Sequence, residues 1–276
     1  MDYIRITITC DPMMGEIYVA ELAELGFESF EEQPEAISAF IQADQYDESA
    51  VNEVLHRYNQ SSSGQFEKTL IPRENWNALW EQNFQPITIS DKVRVRATFH
   101  APDTSFEHEI IIDPKMSFGT GHHSTTALML ERLLTLDLKG KRFLDLGTGT
   151  GILAIMAAKL GAKDILTTDI DDWCIENARE NFERNGFPNI DVHLCKAEAL
   201  QVNHPYEVVA ANINKNVLLE EMPCYAGFLQ HEGVLLLSGF YSYDLEDLIE
   251  RAKSFDIHYA AHSVHNDWCQ AQFIKS

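Results

Sequence analysis

Apolar and polar positions alternate with period two over residues 3–9 (Tyr-Ile-Arg-Ile-Thr-Ile-Thr), which predicts a β-strand. A helical pattern follows from about Met13 to Leu25 and stops at Gly26. Short extended stretches are predicted near Phe27–Glu31 and Ala36–Ile41. Residues 47–58 read as a second helix, with Val51, Val54, Leu55 and Tyr58 on one face. After Ser61-Ser62-Ser63-Gly64, Phe66–Ile71 reads as a strand. The order β-α-β-β-α-β predicts a small ferredoxin-like α+β sandwich.

Beyond Pro72 the pattern changes. Trp76, Leu79, Trp80 and Phe84 recur at helical spacing over residues 74–84, which predicts a connecting helix. Strand-like stretches follow at Val93–Phe99 and Glu109–Ile112. From about Gly121 helices and strands alternate. Helices are expected at 124–136, 152–160, 172–185 and 244–254, with one more between the fourth and fifth strands of this series. The strands are expected at 142–146, 164–168, 191–194, 207–211, 233–238, 257–264 and 268–274. This rhythm predicts a mainly parallel, doubly wound sheet, with the last two strands forming an antiparallel edge hairpin. The expected organisation is a domain at 1–71, a linker with a helix at 72–92, and a larger domain at 93–276.

Composition narrows the function classes. The chain has 276 residues, 45% of them hydrophobic, enough for one large α/β domain and a smaller one. Its formal net charge is −22, which opposes docking on a phosphate backbone, so no nucleic-acid readout is expected. Residues 1–70 carry Arg5, Arg57 and Lys68 against fourteen acidic residues, a net −11, half of the total. A basic protein partner fits that balance, and so does a plain solvated surface. Cys10, Cys174, Cys195, Cys224 and Cys269 are scattered without a C-x-x-C pair, which speaks against a disulfide framework or a zinc site and suits a reducing cytosol. Met1–Cys10 shows no secretory pattern, and no apolar run approaches a membrane span.

The chemistry centres on Leu144-Asp145-Leu146-Gly147-Thr148-Gly149-Thr150-Gly151, which follows a strand and opens a helix. Glycines let such a turn approach a ligand closely, and a helix N-terminus offers free N–H groups. Dinucleotide sites use G-x-G-x-x-G, with a pyrophosphate on the helix N-terminus. Here the spacing is G-x-G-x-G, and Asp145 stands two positions before the first glycine. An acid there suits a cationic amino group, such as the methionine end of S-adenosyl-L-methionine, met directly or through the turn it orients. Asp169 ends the next strand, where an acid accepts hydrogen bonds from ribose hydroxyls. Turn, preceding acid and second-strand acid together favour S-adenosylmethionine over a nicotinamide cofactor.

Asn212 ends the strand Val208–Ile213, at the sheet edge where ligands of open parallel sheets bind. Its amide oxygen can accept a hydrogen bond from an incoming amine and aim the nitrogen lone pair at the methyl carbon. The alternative is that it caps the helix that follows. The loop Phe118-Gly119-Thr120-Gly121-His122-His123-Ser124-Thr125-Thr126 precedes the first helix of the series, and its glycines suggest a mobile lid. Thr126 is placed to reach the cofactor. His122 and His123 are adjacent and so do not face each other on a helix, and no metal site is expected.

Phe118–Thr126, Leu144–Gly151, Asp169-Ile170-Asp171, Asn181…Asn185-Gly186, Val209–Ile213 and Asp267-Trp268-Cys269 together resemble the methyltransferase family that modifies large-subunit ribosomal protein L-eleven. The resemblance covers roughly residues 70–276; residues 1–70 are similar by element order alone. It implies a Rossmann-like, seven-stranded methyltransferase sheet. It also implies methylation of lysine ε-amines, and of the N-terminal α-amine, in a basic ribosomal protein. The small first domain is implied to recognise that substrate. The family's cofactor contacts fall on Thr126, Gly147, Asp169 and Asn212, to which the motif adds Phe118, Gly119, Asp145, Gly149 and Gly151. Asn212 is the catalytic candidate. A glutamine amide or a nucleobase remains an alternative acceptor, because Asn at this strand end serves those reactions too.

Overall fold

A computed structural model describes residues 2–58, 66–71, 85–113, 115 and 117–276. The Ser61–Gly64 turn and the connecting helix expected over residues 74–84 lie outside them. The chain divides into two compact units, residues 1–83 and 84–276.

The first unit runs β1 (Tyr3–Thr9), α1 (Pro12–Glu24), β2 (Ser29–Gln33), β3 (Ala36–Gln42), α2 (Glu48–Tyr58) and β4 (Phe66–Ile71). Its sheet order is β2-β3-β1-β4, with antiparallel neighbours throughout, as the ferredoxin-like reading requires. Ile4, Ile6 and Ile8 point to one face of β1 and pack with Leu22 of α1 and with Val51 and Leu55 of α2. Asp11 starts α1 by accepting a hydrogen bond from Met14 N at 2.9 Å, and Pro12 supplies a preset φ at the first helical position.

The second unit opens with a three-stranded sheet of β5 (Ile87–Ile89), β6 (Val93–Arg96) and β7 (His108–Ile111). Strand β6 ends three residues before the expected Phe99, because the chain turns there and His100 N bonds to Ala97 O at 3.2 Å. The rest alternates: α3 (Ser124–Leu133), β8 (Arg142–Leu146), α4 (Ile152–Lys159), β9 (Lys163–Asp169), α5 (Asp172–Arg184), β10 (Asp191–Leu194), β11 (Tyr206–Asn212), α6 (Lys215–Phe228), β12 (Leu229–Tyr241), α7 (Leu245–Lys253), β13 (Ile257–His265) and β14 (Trp268–Lys275). The seven-stranded sheet has the order β10-β9-β8-β11-β12-β14-β13. Its first five strands are parallel, and the β13–β14 hairpin closes one edge antiparallel.

Side chains alternate across this sheet and feed two cores. Phe143, Val208, Ala210 and Leu236 face the core that holds α4. Leu144, Leu146, Val209, Leu235 and Leu237 face the other, with Leu218 and Tyr225 of α6. Strand order reverses at β8, between β9 and β11. In open α/β sheets a ligand crevice lies beyond the carboxyl ends of the strands at that point.

Candidate active site

A cavity of about 530 Å³ lies at the predicted place, beyond the ends of β8, β9, β11 and β12. Leu146, Gly147 and Gly149 follow β8 into it, Thr168 and Asp169 end β9, and Asn212 and Ile213 end β11. That size suits a nucleoside-type ligand. Two glycines of the turn are required by packing. Gly147 (φ +70°) and Gly149 (φ +55°) are left-handed, and a Cβ on either would collide, with Ile213 Cγ2 and with the Phe118 carbonyl oxygen respectively.

Asp169 is held from three sides. Gly149 N donates to its Oδ2 at 2.9 Å; Ile170 N and Asp171 N donate to its Oδ1 at 2.8 and 3.1 Å. These bonds fix the carboxylate at the cavity wall, use both lone-pair sites of Oδ1 and leave acceptor capacity on Oδ2.

Asn212 also lines the cavity. Its Nδ2 donates to Thr126 Oγ1 at 3.4 Å, while its Oδ1 is buried and has no hydrogen-bond partner. The capping alternative fails, because the helix that follows is capped by Asn214, whose side chain accepts from Val217 N at 3.2 Å.

Phe118 lines the cavity as well. Its loop does not hang free as a lid. Thr150 N donates to Phe118 O at 2.9 Å, and Thr150 Oγ1 donates to Gly119 O at 2.6 Å, so the loop is fastened to the glycine turn. His123 caps α3, accepting from Thr125 N, and lies edge-on between the Phe118 and Trp268 rings.

Of the nine residues singled out from sequence, Phe118, Gly147, Gly149, Asp169 and Asn212 line the cavity, and Gly119, Thr126, Asp145 and Gly151 stand behind its wall. Thr126 is fully buried and meets Asn212. Gly151 is the left-handed N-cap of α4. Asp145 shares the face of β8 that Phe143 uses, so it points under α4 and is fully buried. Its Oδ2 accepts from Thr148 Oγ1 at 2.7 Å and its Oδ1 has no partner. Burial pushes this carboxyl up to about 7; the Thr148 hydroxyl opposes the rise and the Asp169 charge adds to it.

Other wall residues were not singled out from sequence: Trp173 and Cys174 at the start of α5, Cys195, Lys196 and Ala197 after β10, Val217 and Glu221 on α6, and Gly239 in β12. The strand-end rule alone would have flagged the loop after β10. Asp169, Asp171 and Cys174 also bring ligand atoms within 4.8 Å of one another, but all three belong to this cavity wall.

Comparison with known proteins agrees with this geometry. A family model described as "Ribosomal protein L11 methyltransferase (PrmA)" matches residues 6–276. A ribosomal protein L11 methyltransferase of Phocaeicola vulgatus is 40% identical over 280 residues, spanning 99% of each chain. One from Porphyromonas gingivalis is 43% identical, over 94% of this chain and 90% of its own. Among solved structures, a ribosomal protein L11 methylase from Lactobacillus delbrueckii subsp. bulgaricus aligns with TM-score 0.64 at 28% identity, covering 70% of this chain and 100% of its own.

Proposed function

The chain belongs to the ribosomal protein L11 methyltransferase family, and from that premise we propose that it methylates lysine ε-amines and the N-terminal α-amine of ribosomal protein L11, with Asn212 as the group that aims the acceptor nitrogen. The observation that carries this reading is the buried, unpartnered Oδ1 of Asn212 at the cavity wall. A buried carbonyl oxygen without a donor costs about 1–3 kcal/mol. An N–H of a bound amine removes that cost.

The cavity fits S-adenosylmethionine. The glycine turn has no Cβ to fill the cradle, and Asp169 presents a fixed carboxylate whose Oδ2 keeps acceptor capacity for a ribose hydroxyl. Asp145 acts from behind by holding the Thr148 hydroxyl and hence the turn. When bound, the cofactor supplies an electrophilic methyl group on a sulfonium.

The residues of the chain then have three tasks. Asn212 Oδ1 accepts one N–H, which points the nitrogen lone pair along the line of attack. The interaction strengthens as nitrogen gains positive charge, so it favours the transition state over the ground state. The apolar wall formed by Phe118, Trp268 and Ile213 strips water from the ammonium, and desolvation favours its neutral, nucleophilic form. No general base is required, because the amine loses its proton to solvent on entry.

The first unit is proposed to hold L11. It carries a net charge of −11 over residues 1–70, and two of its three cations, Arg57 and Lys68, are already paired with Glu21 and Glu48. The remaining acidic excess attracts a basic protein and speeds encounter at low salt. The site of action is proposed to be the cytoplasm. The five cysteines are all free thiols, and among the described residues no helix is long and apolar enough to cross a membrane.

The test is incubation of the full chain with labelled S-adenosylmethionine and purified L11, followed by mass spectrometry. Label on L11 amines is expected. Label-free L11, with turnover on a glutamine-bearing protein or on RNA instead, would move the acceptor elsewhere.

A further inference from the structure

A row of aromatic rings leads from the cavity to solvent. Phe118 and Trp268 line the cavity, with His123 edge-on between them at 5.2 and 4.7 Å. Trp268 stacks on Tyr241 with centroids 4.2 Å apart and planes 27° apart. Tyr241 stacks in turn on Tyr243 at 5.2 Å and 20°. The register of the sheet produces this stack, since Tyr241 and Trp268 are directly opposed in the antiparallel pair β12–β14. Tyr243 is 76% exposed and Tyr241 37%, so the outer rings open to solvent.

The outer pair is held by a device that local helix energetics do not explain. Lys215 is the first residue of α6, three positions after Asn212. A cation at a helix N-terminus meets the positive end of the dipole. Here two carboxylates offset that repulsion: Asp244 and Asp247 each lie 2.6 Å from Lys215 Nζ. Asp244 also accepts from Tyr241 N at 3.2 Å, and Ser242 N donates to Asp267 O at 2.8 Å. The segment that carries both tyrosines is thus tied to the segment that carries Asn212.

We propose that the outer face of Tyr243, backed by Tyr241, forms an outer station for the acceptor's alkylammonium, from which the side chain passes the Trp268 ring to reach Asn212. The proposal rests on the amine-acceptor reading above and deepens it. A lysine side chain arrives as a cation, because its amine has a reference pKa of about 10.4. Aromatic faces hold such a cation through the ring quadrupole and its methylene stem by apolar contact. Lys215 serves the station by neutralising Asp244 and Asp247, which would otherwise hold the ammonium by charge at the rim. Tyr243 is therefore a specificity-determining residue, and Tyr241, whose two faces are covered by Trp268 and Tyr243, and Lys215 are positioning residues.

The test compares wild type with Tyr243→Ala, Tyr241→Leu and Tyr243→Phe, measuring initial rates on L11, calorimetric affinity for S-adenosylhomocysteine, and Tm. A cation–π contact predicts a rise of about threefold to thirtyfold in KM for L11 in the first two variants. The change should fall in KM rather than kcat, with S-adenosylhomocysteine affinity retained, and Tyr243→Phe should restore the wild-type KM. A KM that stays at the wild-type value in both Tyr243→Ala and Tyr241→Leu overturns the proposal. So does a joint fall in kcat, S-adenosylhomocysteine affinity and Tm, which would mark the rings as structural. If wild type itself leaves L11 unmethylated, the acceptor assignment fails, and the station falls with it.

Discussion

Replacing Asn212 by alanine should separate catalysis from stability. In the folded chain its Oδ1 is buried without a partner, and its Nδ2 has one long contact, 3.4 Å to Thr126 Oγ1. Truncation therefore removes an unmet acceptor that costs about 1–3 kcal/mol and gives up one weak hydrogen bond. Tm should hold or rise. In the transition state the same oxygen faces an N–H on a nitrogen becoming cationic, and a hydrogen bond to a charged group contributes about 1.5–3 kcal/mol. Its loss should lower kcat by roughly tenfold to 150-fold. The fall in cofactor affinity should be much smaller, since Gly147, Gly149 and Asp169 remain. The assay is initial-rate methylation of L11 with labelled S-adenosylmethionine, paired with thermal denaturation. A variant within about threefold of wild-type kcat would be too active for the oxygen to aim the nucleophile. A large drop in Tm would refute the claim that the oxygen is a buried, unmet acceptor in the folded chain.

Two further outcomes follow from the turn. Asp145 carries a carboxyl raised from 3.8 to about 7, so between those values the folded chain keeps a proton that the unfolded chain has lost. Its contribution to stability falls as pH rises through that window, by at most roughly 1.4 kcal/mol per pH unit. Asp145→Asn should therefore gain Tm relative to wild type between about pH 5 and about pH 7, and a pH-independent difference would contradict the raised value. At Gly149, alanine adds a Cβ that meets the Phe118 carbonyl at a left-handed φ of +55°. Gly149→Ala should lower Tm and weaken S-adenosylhomocysteine binding by at least about tenfold, equivalent to about 1.4 kcal/mol, as read by calorimetry.

Much of this was legible in the sequence because backbone geometry demanded it. The glycines at 147 and 149 are there because no side chain fits, and such demands appear directly as residue type. The alternation in β1 and the apolar runs in β8 and β11 similarly reflect which faces are covered. The misses have physical causes. Helix α6 passes straight into β12 between Phe228 and Leu229; Pro223 and Gly227 both lie within the helix, so the usual breakers point to an earlier end, and the sequence marks the strand only from Gly233. Three-residue β5 is too short to show a period. Of the two roles expected for Asp145, reaching the ligand or orienting the turn, the alternation of β8 favours the second: the side chain points under α4 and holds Thr148, while its neighbour Leu146 lines the cavity. Lys196, Glu221 and Trp173 arrive from loops and helices far apart in the chain, and only the fold brings them together.

The hydrogen bonds from Thr150 to Phe118 and Gly119 have a thermodynamic corollary. They fasten the glycine turn to the ring-bearing loop, so neither can shift without stretching or breaking those bonds. Any coupling between cofactor and L11 that runs through this joint must be reciprocal: the factor by which cofactor sharpens L11 binding is the factor by which L11 sharpens cofactor binding. Thr150, which does not line the cavity, makes both of those bonds.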